Sequence, residues 1–302
     1  MAQQQPLERA VALKVLRPEL AANATVVLRF QQEARAIAAL SSPHTVRLID
    51  FGVAEDGQLF MVMEYLRGES LRDLISRVGP LSPATTVRLL SQVADSLSEA
   101  HTRGIIHRDI KPENLFVSWL HQDQPHVRVL DFGVARVAGD AGLSLSLTAT
   151  GTMLGSPAYM APEQALADQA KIGPATDVYA MGVVAFELLT GRRPFEHGSI
   201  VELLTAHVQD APTWPPMPTG EVPAELAALV MRCLAKPPTS RPRTAAELAE
   251  ALRALDPKSL GNHSLVRPDE AHRESGEFAA TEVDFNLQVL SLIHISEPTR
   301  PY

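Results

Sequence analysis

The sequence predicts an α+β fold with two lobes, a small lobe built on a β-sheet and a larger lobe that is mainly helical. Up to Leu66, the hydrophobic periodicity indicates a strand, a helix and two further strands. Beyond Ser70, apolar residues recur at helical spacing along most of the chain. We therefore expect the small lobe over residues 1–66 and the helical lobe over residues 67–255.

The first strand is predicted over AVALKVL, residues 10–16, because its side chains alternate between two faces. Lys14 lies on the same face as the small Ala12. The next segment, residues 25–40, places apolar residues at helical spacing, and Glu33 falls within that apolar stripe. A carboxylate directed inward needs a partner.

The remaining elements follow from the same periodicities and from residues that start and stop helices. Ser82 followed by Pro83 is a favourable helix start, and Gly104 is a favourable stop. The segment that closes at Gly191 is apolar on nearly all sides, as expected for a helix buried inside the helical lobe. Strands are expected at residues 45–53 and 58–66, and helices at residues 82–104, 175–191, 199–208, 223–235 and 244–255.

Composition argues against several classes of protein. A formal net charge of −8 with no run of Lys or Arg disfavours a nucleic-acid-binding protein. The single cysteine, Cys233, excludes an internal disulfide and a CxxC zinc site. The longest apolar run, VYAMGVVAF, is far shorter than a membrane span, and the first ten residues lack the order of a signal peptide. We expect a cytoplasmic chain without a membrane segment.

Two strings of the sequence, HRDIKPENLF and VRVLDFG, carry the chemistry. Asp109 and Asn114 lie five residues apart in a loop after a helix, and Asp131 ends the short strand that follows. Two carboxylates and an amide suit a divalent cation, and Lys111 is close enough to offset phosphate charge. The combination predicts a site for phosphoryl transfer.

Seven strings in order, VALK, EARAI, HRDIKPEN, DFG, GSPAYMAPE, TDVYAMG and SRP, resemble the motifs of the eukaryotic-like protein kinases, in particular the bacterial serine/threonine protein kinases. The resemblance covers residues 7–255. It implies a two-lobed protein-kinase-like fold with an antiparallel sheet in the N-lobe and a mainly helical C-lobe. It also implies protein substrates, with ATP and Mg²⁺ as cofactors.

The resemblance implies a role for each matching residue of the catalytic set. Lys14 would contact the α- and β-phosphates of ATP, and Glu33 would fix Lys14 by an ion pair. Asp109 would accept or orient the proton of the substrate hydroxyl, and Lys111 would steady the γ-phosphate. The residues that would hold Mg²⁺ are Asn114 and Asp131.

The resemblance also implies residues for the adenine end of ATP. Met63 would be the gatekeeper, and the backbones of Glu64 and Leu66 would meet adenine at the hinge. Ala12 completes this cofactor-binding set.

Three residues of the helical lobe are given structural roles by the same resemblance. Asp177 would brace the catalytic loop. Glu163 and Arg241 would form a buried ion pair within the lobe.

Regulation is expected in the segment between DFG and APE. Arg108 precedes the catalytic aspartate, and a phosphate on this segment would suit its positive charge. Thr148 and Thr150 match the positions that are usually autophosphorylated in the bacterial family, and two copies of the kinase would then phosphorylate each other in trans. The alternative is that this Ser/Thr-rich segment is only a solvated loop.

Both ends of the chain depart from the family pattern. Only thirteen residues precede Lys14, so the glycine-rich phosphate loop does not fit. We expect an N-terminally truncated domain with impaired use of ATP, in which AVALKVL is an exposed sheet edge. Residues 256–289 are polar and aperiodic and are expected to be a linker, beyond which the intact protein could carry a membrane anchor.

Residues 290–302 begin with LSLIHISEPTR, which has no periodic relation to what precedes it. This string matches the translation of a transposase-type sequencing-adapter end, and we hypothesise that it is an artefact of assembly. Different codons in the DNA record would overturn this hypothesis.

Two other functions compete with that of a protein kinase. A catalytically inactive kinase-like scaffold or binding module is favoured by the absent glycine loop and disfavoured by the complete catalytic set. A small-molecule kinase of the same fold, such as an aminoglycoside phosphotransferase, is disfavoured by GSPAYMAPE, which is a platform for protein substrates.

Overall fold

The computed structural model describes residues 2–4, 9–121, 124–132, 157–215 and 222–261. The first lobe contains β1 (Ala2–Gln4), β2 (Arg9–Val15), α1 (Pro18–Ala21), α2 (Ala24–Ala38), β3 (Leu48–Val53) and β4 (Leu59–Glu64). Its four strands form one antiparallel sheet in the order β1-β2-β4-β3. The strands and the long helix predicted for this lobe are confirmed.

The long helix α2 packs on the sheet through a small core of its own. α2 begins after Asn23, whose side chain accepts hydrogen bonds from the first free amides of the helix. Phe30 and Ala34 on α2 pack with Leu59 and Met61 on β4. This packing fixes the inner face of α2, which also carries Glu33, against the face of the sheet.

β1 covers part of the strand that was expected to be an exposed edge. Ala2 lies opposite Val11 and Gln4 lies opposite Arg9, in an antiparallel pairing. The prediction of an exposed edge is therefore wrong for the first residues of β2. The physical reason is that an edge offers unpaired N–H and C=O groups, which any extended segment can pair with, whatever its side chains.

The second lobe begins with β5 (Glu69–Ser70) and is mainly helical. Its helices are α3 (Leu71–Val78), α4 (Pro83–Thr102), α5 (Pro162–Ala165), α6 (Pro174–Thr190), α7 (Ile200–Gln209), α8 (Ala224–Cys233), α9 (Ala245–Arg253) and α10 (Pro257–Leu260), and its other strands are β6 (Leu115–His121) and β7 (Gln124–Val129). Short 3₁₀ turns lie at Pro112–Asn114, Pro157–Tyr159, Gln169–Lys171 and Pro238–Ser240. The two-lobed α+β fold is therefore confirmed.

Helix α6 is the centre of this lobe. Nearly all of its residues are buried, and Gly191 ends it in the left-handed conformation with φ of 75°. Gly182 allows close packing against α8, because a Cβ atom there would lie 2.7 Å from the Cβ of Cys233. α4 packs beside it, starting at the predicted cap Ser82, whose side chain accepts from the Thr85 amide.

The segment between α2 and β3 fastens the first lobe to the second. The Val129 amide donates to the His44 carbonyl at 2.8 Å, and the Val46 amide donates to the Val129 carbonyl at 3.0 Å. His44 and His126 stack across this contact with ring centroids 4.6 Å apart. These contacts hold β7, and hence Asp131 and Phe132 that follow it, close to the first lobe.

The linker expected from Asp256 begins with a helix instead. Asp256 caps α10, and Leu260 at the end of α10 is buried against the second lobe. This part of the prediction is wrong, because one apolar residue at the end of a capped turn is enough to dock it. Residues 262–302 lie outside the described part of the chain. In the described part, no helix combines the length and the apolar character needed to cross a bilayer.

Candidate active site

Lys14, near the end of β2, lies between two carboxylates from other elements. Its Nζ atom is 2.7 Å from Oε1 of Glu33 on α2 and 3.0 Å from Oδ1 of Asp131, which follows β7. Lys14 and Glu33 are 3% and 4% exposed. The structure therefore contains the expected ion pair and adds Asp131 to it as a third member.

Burial and charge act on this cluster in opposite directions. Burial by itself would lower the pKa of Lys14, but the carboxylates of Asp131 and Glu33 outweigh it, so the pKa is raised. Burial raises the pKa of Glu33, and the nearby charge of Asp131 adds to this effect against the opposing effect of Lys14. Lys14 is thus held charged while two carboxylates compete for it, and a further cation beside Asp131 would relieve that competition.

The loop between α4 and β6, which is expected to be the catalytic loop, brings Asp109, Lys111 and Asn114 together. Asn114 ends the 3₁₀ turn that starts at Pro112, and its Nδ2 donates to the Asp109 carbonyl at 2.8 Å and to Oδ2 of Asp109 at 3.2 Å. Nζ of Lys111 lies 3.3 Å from the same Oδ2. The carboxylate of Asp109 is therefore held by an amide and an ammonium at once.

Asp177, in the first turn of α6, braces the start of this loop as predicted. Its Oδ2 accepts from the His107 amide at 2.9 Å, and its Oδ1 accepts from the Arg108 amide at 2.8 Å. Arg108 has a φ of 66°, a conformation that costs a non-glycine residue about 1–3 kcal/mol. Nε2 of His101 lies 2.8 Å from Oδ2 of Asp177 and adds a contact that no motif indicated. These bonds hold the backbone of Arg108 in its strained conformation.

His107 links the catalytic loop to the end of β7 through both of its ring nitrogens. Nε2 lies 2.9 Å from the Leu130 carbonyl, and the Asp109 amide lies 3.2 Å from Nδ1. A carbonyl only accepts and an amide only donates, so Nε2 carries the proton and the ring is neutral. Burial lowers the pKa of His107, which favours the neutral form. Phe132 packs on this ring with centroids 4.9 Å apart.

The residues expected around adenine meet at the junction of the lobes. Ala12 lies opposite Met63 in the pairing of β2 with β4, and both pack with Leu66 against the main core. Glu64 ends β4, and its amide donates to the Arg47 carbonyl. The N–H and C=O groups of Leu66 make no hydrogen bond with the described residues. Leu66 thus offers one donor and one acceptor beside an apolar wall, which is the chemistry that the edge of a purine requires.

The donor set also fits a divalent cation. Asn114 is 4% exposed, and its amide nitrogen donates to Asp109. Its Oδ1 accepts no hydrogen bond from the described residues. The Asp131 carboxylate lies close by in the chain fold, since the Leu130 amide donates to the Asn114 carbonyl at 2.8 Å. Carboxylate and amide oxygens are ligands that Mg²⁺ accepts, so these two residues fit the ion.

The expected regulatory residues are only partly described. Thr148 and Thr150 lie outside the described residues, whereas Arg108 is described, and its carbonyl accepts from Nε2 of Gln164 at 2.9 Å. Two parts of the site were missed by the sequence reasoning. One is His101, and the other is a cluster around Arg72 on α3, because contacts between residues so far apart in sequence leave no local pattern.

Comparison with known proteins agrees with this geometry. The family model for the protein kinase domain matches residues 1–252. The chain is 39% identical over 281 residues to "Serine/threonine-protein kinase pkn3" of Myxococcus xanthus, covering 92% of this chain and 50% of that protein. It is 40% identical over 245 residues to "Serine/threonine-protein kinase PknB" of Mycobacterium tuberculosis, covering 80% of this chain and 38% of that protein.

The chain spans about half the length, or less, of these curated relatives. Over that span, the match to the family and the joined positions of Lys14, Glu33, Asp109, Asn114 and Asp131 lead to one conclusion. The chain belongs to the protein kinase family, with bacterial serine/threonine kinases among its relatives.

Proposed function

We propose that this protein transfers the γ-phosphate of ATP to serine or threonine hydroxyls of other proteins. The observation that carries the proposal is the pair of charge clusters that meet at the lobe junction. Lys14 lies between Glu33 and Asp131, and the Asp109 carboxylate is held by Lys111 and Asn114. A cation for phosphate, oxygen ligands for a metal and an oriented carboxylate for a hydroxyl are the parts that phosphoryl transfer needs.

In the proposed mechanism, Asp109 orients the acceptor hydroxyl and takes its proton on a carboxylate oxygen. Lys14 binds phosphate oxygens through Nζ, and Lys111 places a second positive charge beside the same reaction centre. Asn114 and Asp131 would hold the metal ion. When bound, Mg²⁺·ATP would supply the phosphoryl group, with ADP as the leaving group, and the charge that offsets its oxygens. The residues therefore act by position and charge, and none of them forms a covalent bond to the substrate.

The proposal is tested with the purified chain, Mg²⁺, ATP and a general protein substrate rich in serine and threonine. The Asp109→Asn variant should lose about 10²-fold or more of the transfer rate while still binding nucleotide. Asp168→Asn is the matched control, because Asp168 pairs with the exposed Lys171 away from the Lys14 and Asp109 clusters. If the chain binds ATP but wild type and Asp109→Asn transfer phosphate equally poorly, the scaffold function is correct instead.

We further propose that the enzyme acts in the cytoplasm and is regulated by autophosphorylation of Thr148 and Thr150, in trans between two copies. The support is the position of Arg108, whose strained backbone adjoins Asp109 and places a cation at the catalytic loop. A phosphate on the segment would form charge-assisted hydrogen bonds with this guanidinium. Thr148→Ala/Thr150→Ala protein should then phosphorylate a substrate more slowly than wild type. Equal rates would overturn this regulation.

A further inference from the structure

Arg72, near the start of α3, joins three other elements of the second lobe. Its Nε donates to Oε1 of Glu113 at 2.8 Å, and its Nη1 donates to Oε1 of Glu187 at 2.9 Å. Its Nη2 donates to the hydroxyl of Tyr159, and that hydroxyl donates to Oε2 of Glu187 at 2.6 Å. One guanidinium thus bonds two carboxylates and a phenol, which we call the Arg72 cluster.

The three partners of Arg72 lie in three different elements of the second lobe. Glu113 lies in the catalytic loop and immediately precedes Asn114. Tyr159 ends the 3₁₀ turn Pro157–Tyr159, which lies in the GSPAYMAPE string, and Glu187 lies on the buried helix α6. Arg72 therefore ties the catalytic loop to that turn and anchors both on α6.

The path from Arg72 to the reacting group is short. Arg72 holds Glu113, and the next residue, Asn114, donates to the carbonyl and to Oδ2 of Asp109. Oε2 of Glu113 is buried and has no hydrogen-bond partner among the described residues, so Oε1 alone fixes this side chain, and it does so through Arg72. Loss of the guanidinium would free Glu113 and loosen the loop that orients Asp109.

The cluster requires a guanidinium rather than any cation. The Glu187 side chain is 7% exposed and the Arg72 side chain is 30% exposed, so the planar guanidinium group of Arg72 is partly shielded from water. Its separate N–H groups reach Glu113, Glu187 and Tyr159 in different directions. A lysine ammonium is a point charge at the end of a flexible side chain, and it does not offer N–H groups in the fixed planar arrangement of a guanidinium.

We propose that Arg72 is a positioning residue for phosphoryl transfer, which keeps the catalytic loop and the Pro157–Tyr159 turn in register. The proposal rests on the kinase function proposed above. The KM for ATP should change less than kcat, because Lys14, Glu33 and Met63 lie in the first lobe and, of the ATP-binding set, Asn114 alone adjoins the Arg72 cluster. α3 should stay folded, since Leu71 and Leu74 anchor it in the core.

The first test is steady-state kinetics of peptide phosphorylation by the full chain. Arg72→Ala should lower kcat by about 10- to 100-fold, the cost of a small misplacement of reacting groups, and leave the KM for ATP within about threefold of wild type. Arg72→Lys should show a similar loss. Millimolar guanidinium ion should restore part of the kcat of Arg72→Ala and should not stimulate wild type.

Arg77→Ala is the matched control. Arg77 lies on the same helix, its side chain is 35% exposed, and it pairs with Glu69 outside the Arg72 cluster. It should keep the wild-type kcat. Thermal unfolding of each variant shows whether the protein folds, and Arg72→Gln, which keeps hydrogen-bonding capacity without charge, is the second variant if Arg72→Ala does not fold.

A second readout does not depend on activity. Hydrogen exchange of the ligand-free chain should be faster in Arg72→Ala than in wild type at residues 110–115 and 157–163 together, and guanidinium ion should slow it again. Faster exchange across all of α3, or a loss of kcat that guanidinium ion does not restore, would mean a merely structural role and overturn the proposal. An active wild type with an equally active Arg72→Ala variant would also overturn it. An inactive wild type that still binds ATP would instead refute the kinase function itself.

Discussion

Lys14 and Asp131 are 117 positions apart in the sequence, and the Nζ atom of the first lies 3.0 Å from Oδ1 of the second. The contact joins β2 of the first lobe to the end of β7 in the second lobe. It places a buried ammonium at the point where phosphate and metal are expected to meet. Removal of that ammonium should therefore change both the nucleotide affinity and the rate of phosphoryl transfer.

Lys14→Met should abolish most phosphoryl transfer, by about 10²-fold or more, because Glu33 and Asp131 are then left without the cation between them. Nucleotide binding, measured by calorimetry, should weaken in parallel. Lys171→Met is the control, since the Lys171 side chain is 61% exposed and pairs on the surface. Wild-type affinity and rate in Lys14→Met would contradict the assigned role.

Asp177→Ala should both destabilise the protein and slow the reaction. The side chain is fully buried and accepts hydrogen bonds from the amides of His107 and Arg108, so its loss should lower the free energy of unfolding by about 3 kcal/mol. Arg108 would also be free to leave its strained φ, which displaces the adjacent Asp109. Chemical denaturation and the transfer rate measure the two effects, and a slower rate without any loss of stability would speak against the brace.

The buried ion pair of Glu163 and Arg241 was expected from the sequence and is present. Nη1 and Nη2 of Arg241 lie 2.8 and 2.9 Å from the two carboxylate oxygens of Glu163, and both side chains are almost completely buried. Glu163→Gln or Arg241→Ala should lower the free energy of unfolding by about 3–5 kcal/mol, because each leaves an uncompensated buried charge.

Arg232→Ala provides the comparison for this pair. Arg232 and Glu247 form an exposed pair at 3.4 Å, and its loss should cost less than about 1 kcal/mol. Urea unfolding of the three variants measures the difference. Equal losses in the buried and exposed variants would show that burial does not determine how much an ion pair contributes to the free energy of unfolding.

Acid should destabilise the fold through histidines that are buried in the neutral form. Burial lowers the pKa of His207 from 6.5 to about 4, and Lys236 adds to this effect. Between these values the unfolded chain binds a proton that the folded chain does not, so stability falls as the pH falls. At 1.36 kcal/mol per pH unit, His207 alone lowers the free energy of unfolding by about 3 kcal/mol by pH 4.

Thermal unfolding between pH 7.5 and pH 4.5 tests this expectation, with wild type losing stability in acid. His207→Asn, which retains a polar group for the Tyr179 hydroxyl 2.9 Å away, should lose less stability over the same range. The same slope in both proteins would mean that other groups govern the acid response. Burial lowers the pKa of His107 too, so the variant should keep part of the slope.

Local patterns in the sequence were sufficient to predict most of the longer elements. Alternation along AVALKVL predicted β2. The cap at Ser82 predicted the start of α4, and Gly191 predicted the end of α6. These features depend on neighbouring residues only, so they can be seen without a structure. Asp109 and Asn114 also lie within one loop, so their proximity could be predicted from their spacing in the sequence.

Two elements that the sequence did not predict, β1 and α10, depend on backbone pairing and on docking to other parts of the chain. β1 and α10 were missed because the short segment Ala2–Gln4 at an edge and one buried leucine, Leu260, carry almost no periodic signal. Their formation depends on a sheet edge and an apolar surface made by other parts of the chain.

From the sequence alone it was possible to predict most of the longer strands and helices, the family and the residue types that phosphoryl transfer needs. The folded structure was needed to show which of these residues form ion pairs, such as Lys14 with Asp131, and which distant residues meet, such as Arg72 with Glu113 and Glu187. Periodicity reports the burial of neighbours along one element. A hydrogen bond between elements depends on how several elements pack at once, and that arrangement leaves no trace in any local stretch of sequence.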